Sequence, residues 1–84
     1  MNYFVYALRS VKDGHLYIGI SRNPDKRLQE HNAGMQRSTK YRRPFELIYV
    51  EKCCDRRQAR EREKKLKSGS GREFLSEIKS SMLA

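Results

Sequence analysis

Two short runs near the start of the chain, Phe4-Val5-Tyr6-Ala7-Leu8 and Leu16-Tyr17-Ile18-Gly19-Ile20, each place one tyrosine among aliphatics. Runs so rich in β-branched and aromatic residues read as strands. Lys12-Asp13-Gly14 between them is a turn signal, so the two close as an antiparallel hairpin. Side chains alternate faces with period two. Phe4, Tyr6 and Leu8 therefore share one face, and Tyr17 shares one with Gly19. With Leu8 opposite His15, Tyr6 falls opposite Tyr17, and both hydroxyls emerge on the same side. Gly19 beside them leaves room for a ligand or another backbone to approach.

The remaining elements follow from local chemistry. Asn23-Pro24-Asp25 starts a helix, with Asn as N-cap, Pro in the first turn and Asp at the positive dipole end. It runs to about Asn32 or Ala33, where Gly34 stops it. Residues 35–44 read as a basic loop ending at Pro44. Glu46-Leu47-Ile48-Tyr49-Val50-Glu51 is a third strand, the most apolar, and is expected at the centre of the sheet. Asp55 caps a second helix over 56–67. Ser68-Gly69 breaks the chain, and Ser70 with Glu73 fits a capping box for a third helix over about 71–82. Phe74, Leu75, Ile78 and Met82 form its inner side, and the Ser80-Ser81 region is expected to fray. The order is β-β-α-β-α-α in one domain over 1–84, with its core at about 3–75. The fold class is α/β of the α+β kind, a three-stranded antiparallel sheet flanked by helices.

The 84 residues include 19 Lys+Arg against 10 Asp+Glu, a net charge of +9. Such an excess on a small body favours a polyanion, nucleic acid above all. Arg37, Lys40, Arg42 and Arg43 form the densest block, with no acid between Glu30 and Glu46. Tyr41 within it is suited to stacking on a base; the bland alternative is a solvated loop. No apolar run approaches the roughly 20 residues that span a bilayer, and no cleavable leader is evident at the N-terminus. A soluble cytoplasmic protein is expected, monomeric or weakly dimeric. Cys53 and Cys54 are adjacent, a poor spacing for a disulfide or for zinc. A Cys2His2 site with His15 and His31 is conceivable. Two small buried or half-buried thiols ending a strand is the better reading, with His15 exposed beside the turn.

Glu63 lies four residues after Ala59 and three before Leu66, the apolar members of its helix. Helical geometry puts it inside the buried stripe, where a carboxylate costs several kcal/mol unless paired. Its partner is a metal or an arginine such as Arg27 or Arg62. Arg27 and His31, one turn apart, can face a shared anion or form an idle surface pair. Tyr6 and Tyr17 are either core residues with wet tips or proton-handling groups.

Taken together these segments resemble the GIY-YIG endonuclease superfamily, closest to its small stand-alone bacterial type, which is similar to the catalytic domain of an excinuclease. The motif residues are Phe4-Val5-Tyr6, Tyr17-Ile18-Gly19, the Asp25–His31 helix, Arg43–Tyr49 and the Ala59–Lys67 helix. The resemblance implies hydrolysis of phosphodiester bonds with a single Mg²⁺ or Mn²⁺ held by Glu63. Arg27 would bind the scissile phosphate. Tyr6 and Tyr17 would flank the attacking water, one as general base, and His31 would accept or orient the Tyr6 proton. DNA is the expected substrate, with RNA also open, cut in a structure-selective or nonspecific way. No length is left over for a separate DNA-reading domain, so a protein partner could choose the target. Repair, restriction and defence against mobile elements are all open to such an activity. A noncatalytic nucleic-acid-binding module of the same fold is the alternative.

Overall fold

The computed structural model describes residues 2–83, and side chains over 2–81. Seven elements follow one another. They are β1 (Tyr3–Ser10), β2 (Leu16–Ser21), α1 (Pro24–Asn32), a single 3-10 turn (Lys40–Arg42), β3 (Phe45–Cys53), α2 (Arg56–Lys67) and α3 (Gly69–Leu83). The architecture is the expected three-stranded antiparallel sheet with three helices.

The order across the sheet is β2-β1-β3, so β1 is central and β3 lies at an edge. The apolar character of the third strand pointed to the opposite arrangement. The decisive signal was the run Val5-Tyr6-Ala7-Leu8, in which every residue is buried. A strand buried on both faces is a central one. Strand β3 instead exposes Val50 and Lys52. The hairpin register also differs from expectation, with Leu8 opposite Tyr17 and Tyr6 opposite Gly19. The slip is two residues, which preserves every side chain's face.

Each face of the sheet has its own core. Val5, Ala7 and Cys53 pack with Ala59, Leu66 and Leu75 of α2 and α3. Tyr6, Leu8 and Phe45 pack with Tyr17, Leu47 and Leu28 of α1. The Asn23 side chain caps α1 by accepting from Lys26 N at 3.1 Å, and Asp55 caps α2 by accepting from Gln58 N at 2.8 Å. Gly34, with φ of +79°, ends α1 as expected. Asn32 then ties that end of the helix to β3. Its side chain accepts from Phe45 N at 2.6 Å and donates to Phe45 O at 3.1 Å.

The third helix begins earlier than the capping-box reading. Ser70 and Glu73 lie within α3, and only Ser68 separates it from α2. The Arg72 amide already bonds the Ser68 carbonyl at 2.9 Å. Gly71 makes this tight corner workable, because a Cβ there would meet the Lys65 carbonyl and the Leu66 backbone. Leu75 is buried and Ile78 half-buried, whereas Phe74 is 40% exposed and edges onto Tyr49. The Met82 side chain lies outside the described residues. The helix runs through Ser80 and Ser81 to Leu83.

Candidate active site

Tyr6 is 1% exposed and sits mid-β1 against Gly19 of β2. The room left by Gly19 is filled by Tyr6 itself: a Cβ at Gly19 would lie 2.6 Å from the Tyr6 hydroxyl oxygen. Three other candidate residues, Arg27, Tyr17 and Glu63, act on that hydroxyl electrostatically. Burial pushes its pKa up; the Arg27 guanidinium opposes this, and Tyr17 and Glu63 add to the rise. The residues come from β1, β2, α1 and α2, so only the folded chain brings them together. Left to these groups alone, Tyr6 keeps its proton at neutral pH.

Arg27 projects from α1, half-buried, and ion-pairs with Glu30 one turn on at 2.8 Å. Its pKa is raised, first by Tyr6 and then by Glu30. A guanidinium has five donors; Glu30, Tyr6 and the Gln36 amide oxygen take some of them, and those left can bind a phosphate. Arg62 is engaged elsewhere, reaching Glu51 at 2.9 Å. Neither arginine that sequence offered as a partner for Glu63 takes that role. Glu63 instead meets Lys67 on the same helix at 3.4 Å, with side-chain exposures of 18% and 53%. A long, solvent-facing pair of this kind is worth only a few tenths of a kcal/mol. It is readily displaced by a stronger cation.

Among the described residues no group of three or more His, Cys, Asp and Glu is placed to hold a metal. This disposes of the Cys2His2 arrangement. Cys53 is buried at the end of β3, whereas Cys54 lies beyond it and is exposed, not half-buried as expected. His15 is exposed. The remaining candidate donor is one half-buried carboxylate, Glu63, which acts on the Tyr6 hydroxyl electrostatically. Mg²⁺ uses one or two carboxylates and completes its shell with water and phosphate oxygens. The residues fit such an ion, and equally Mn²⁺, but not a zinc cage.

His31 is fully buried, with its ring 4.8 Å from that of Tyr17 and 5.9 Å from that of Phe45. Its Nδ1 meets Thr39 Oγ1 at 2.8 Å. The Thr39 hydroxyl donates to the Gln36 carbonyl at 3.4 Å, so it receives the Nδ1 proton. Nε2 is thereby assigned as the acceptor. It is the one buried side-chain polar atom without a partner among the described residues, an unusual condition in a folded protein. Thr39 was invisible to sequence reasoning, since nothing local marks a loop hydroxyl as the fixer of a helix imidazole eight residues away.

Burial, reinforced by Arg27, holds the His31 pKa below its ordinary 6.5. A lowered folded value means that the unfolded chain takes up the proton first as pH falls. His31 therefore favours folding fully above about 6.5, and this contribution is lost as pH falls from there toward the folded pKa. The urea midpoint should drop between about pH 7.5 and about pH 5, and drop less in His31→Gln. Equal drops in both proteins would show that the imidazole is not buried neutral.

The basic loop is less free than its sequence suggests. Arg42 pairs with Asp13 at 2.6 Å, and the Lys40 ammonium lies 4.9 Å from the Tyr41 ring centroid. Arg43 packs over Gly34. Tyr41 is 74% exposed, and Arg37 is also exposed.

The family model of the GIY-YIG catalytic domain, a nuclease domain, matches residues 2–75. A UPF0213 protein of Desulfotalea psychrophila is 43% identical over 67 residues, spanning 77% of this chain and 60% of its own length. A UPF0213 protein of Staphylococcus saprophyticus is 35% identical over 74 residues, spanning 87% and 89%. The solution structure of a UPF0213 protein from Bacillus halodurans superposes with a TM-score of 0.54 at 32% identity. That match covers 94% of this chain and 86% of that one. No helix among the described residues is long and apolar enough to cross a membrane. With the motif tyrosines, the arginine helix and the glutamate helix in their expected order and the family model covering most of its length, the chain belongs to the GIY-YIG family.

Proposed function

We propose that this protein is an endonuclease that hydrolyses phosphodiester bonds in DNA with one divalent cation. The reading is supported by the family match over residues 2–75 and by the packing of Tyr6 and Tyr17 against α1, the helix that carries Arg27 and His31, with the His31 ring against that of Tyr17. Glu63 is the residue that would hold Mg²⁺ or Mn²⁺. When bound, such an ion supplies Lewis-acid stabilisation of the charge that develops on phosphate oxygens. Arg27 binds the same phosphate through fixed, charge-assisted donors and offsets its negative charge throughout the displacement. Tyr6 and Tyr17 orient the attacking water. The proton that leaves it needs an acceptor, and the unpartnered Nε2 of His31, beside the Tyr17 ring, is a neutral one.

Arg37, Lys40 and Arg43 contact flanking phosphates, with Arg42 joining them when its pair with Asp13 opens, and Tyr41 stacks on a base. Phosphate contacts position without specifying, so cleavage is nonspecific or guided by substrate structure. RNA is recognised by the same phosphate chemistry and is the second substrate class to try. A noncatalytic binding module of this fold is the competing reading. The Lys67 ammonium already resting on Glu63 is the feature that favours it.

The deciding experiment incubates the protein with supercoiled, branched and single-stranded DNA at low salt, with Mg²⁺, Mn²⁺ or EDTA. Nicked or cut products that appear only with metal support the nuclease. Salt-dependent binding with no product in any metal supports the binder.

A further inference from the structure

Strand β2 is an edge strand. Beside it, where α2 passes into α3, lies a groove of about 400 Å³, within the range of roughly 300–1,000 Å³ common for ligand sites. His15, Tyr17, Ile18, Lys67, Arg72 and Ser76 are among the residues lining it, and no carboxylate lines it. Several arginines elsewhere are matched: Arg9 with Glu46, Arg27 with Glu30, Arg42 with Asp13 and Arg62 with Glu51. The groove differs. Among the described residues the Arg72 guanidinium has no ion pair, and Lys67 has only its 3.4 Å contact with Glu63. Two permanent cations, an imidazole and a hydroxyl thus surround an open space with no anion of the protein's own.

Two residues of the groove also touch candidate active-site residues. Tyr17 lines the groove and also stands against His31. Lys67 lines it and also touches Glu63. An anion that occupies both places at once must repeat its charge along its length, as a nucleic-acid strand does. We propose that this groove seats a phosphate of the strand being cut, next to the scissile one, with Lys67 and Arg72 as its ligands. The assignment rests on the nuclease reading and extends the binding surface beyond the basic loop.

The test measures binding of a short fluorescein-labelled DNA in EDTA, as single strand and as duplex, over a range of salt concentrations. The double variant Lys67→Gln with Arg72→Gln is compared with Arg56→Gln with Arg60→Gln, which removes the same charge from exposed positions of α2. Each lost phosphate contact lowers the salt slope by about 0.7 for single strands and about 0.9 for duplex. The groove variant, which loses the one phosphate both cations hold, should therefore lose about 0.7 or about 0.9 from the slope, and the control pair less than half as much. Equal loss in both variants, or none in the groove variant while the native protein binds, overturns the groove and leaves the nuclease standing. Failure of the native protein to bind either DNA overturns the nuclease reading, and the groove with it.

Discussion

Glu63→Gln is expected to lower metal-dependent cleavage by about 10³-fold or more, with binding in EDTA kept. The substitution preserves shape and removes the charge. With no other carboxylate placed to share an ion among the described residues, the site loses its anionic ligand outright. Lewis-acid stabilisation is worth several kcal/mol of barrier, and each 1.36 kcal/mol is about tenfold in rate. Stability should move by less than about 1 kcal/mol, since only the weak Lys67 pair is lost. Metal-free binding should hold or tighten slightly, because removing one acid from a net charge of +9 gives +10. Plasmid nicking across a titration of Mg²⁺ and Mn²⁺ reads the first effect, and fluorescence anisotropy in EDTA the second. Cleavage within about tenfold of the native rate would remove Glu63 from the metal site.

Gly19→Ala should damage both fold and site. The added methyl would stand 2.6 Å from the Tyr6 oxygen and 2.8 Å from the ring carbon that bears it. A ring 1% exposed in the sheet's central strand has little freedom to yield. Overpacking of this kind costs about 1–3 kcal/mol, visible as a lower urea midpoint. Cleavage should fall by about 10²-fold, the scale on which a displacement of roughly 1 Å acts in an active site. Tyr6→Phe separates the two effects, because it deletes the hydroxyl but keeps the ring. It should lose comparable activity with little change in packing. Full activity in Gly19→Ala would mean that the position of Tyr6 does not matter to the chemistry.

The contrast between these two residues shows what a sequence can carry. Glu63 announced itself because helical period and a sparse apolar stripe are local properties, readable across the eight positions from Ala59 to Leu66. Gly19 was recognised as an opening, but its occupant was misjudged. The Tyr6 ring reaches it across the sheet, and the hairpin register that brings them together was read two residues out. That error spared the site, since an even slip leaves each side chain on its original face. An odd slip would have turned Tyr17 away from Tyr6.

Helix starts at Asn23 and Asp55, the stop at Gly34, the strand faces and the order of elements were determined by the chain itself. Each depends on hydrogen bonds and steric preferences within a few residues, which the sequence states directly. The centrality of β1, the pairing of Arg62 with Glu51 and the Thr39 bond that leaves the His31 Nε2 bare were decided only by tertiary structure. These depend on which distant groups compete for the same neighbour. Burial settles that competition, and burial exists only once the sheet and its helices have closed on one another.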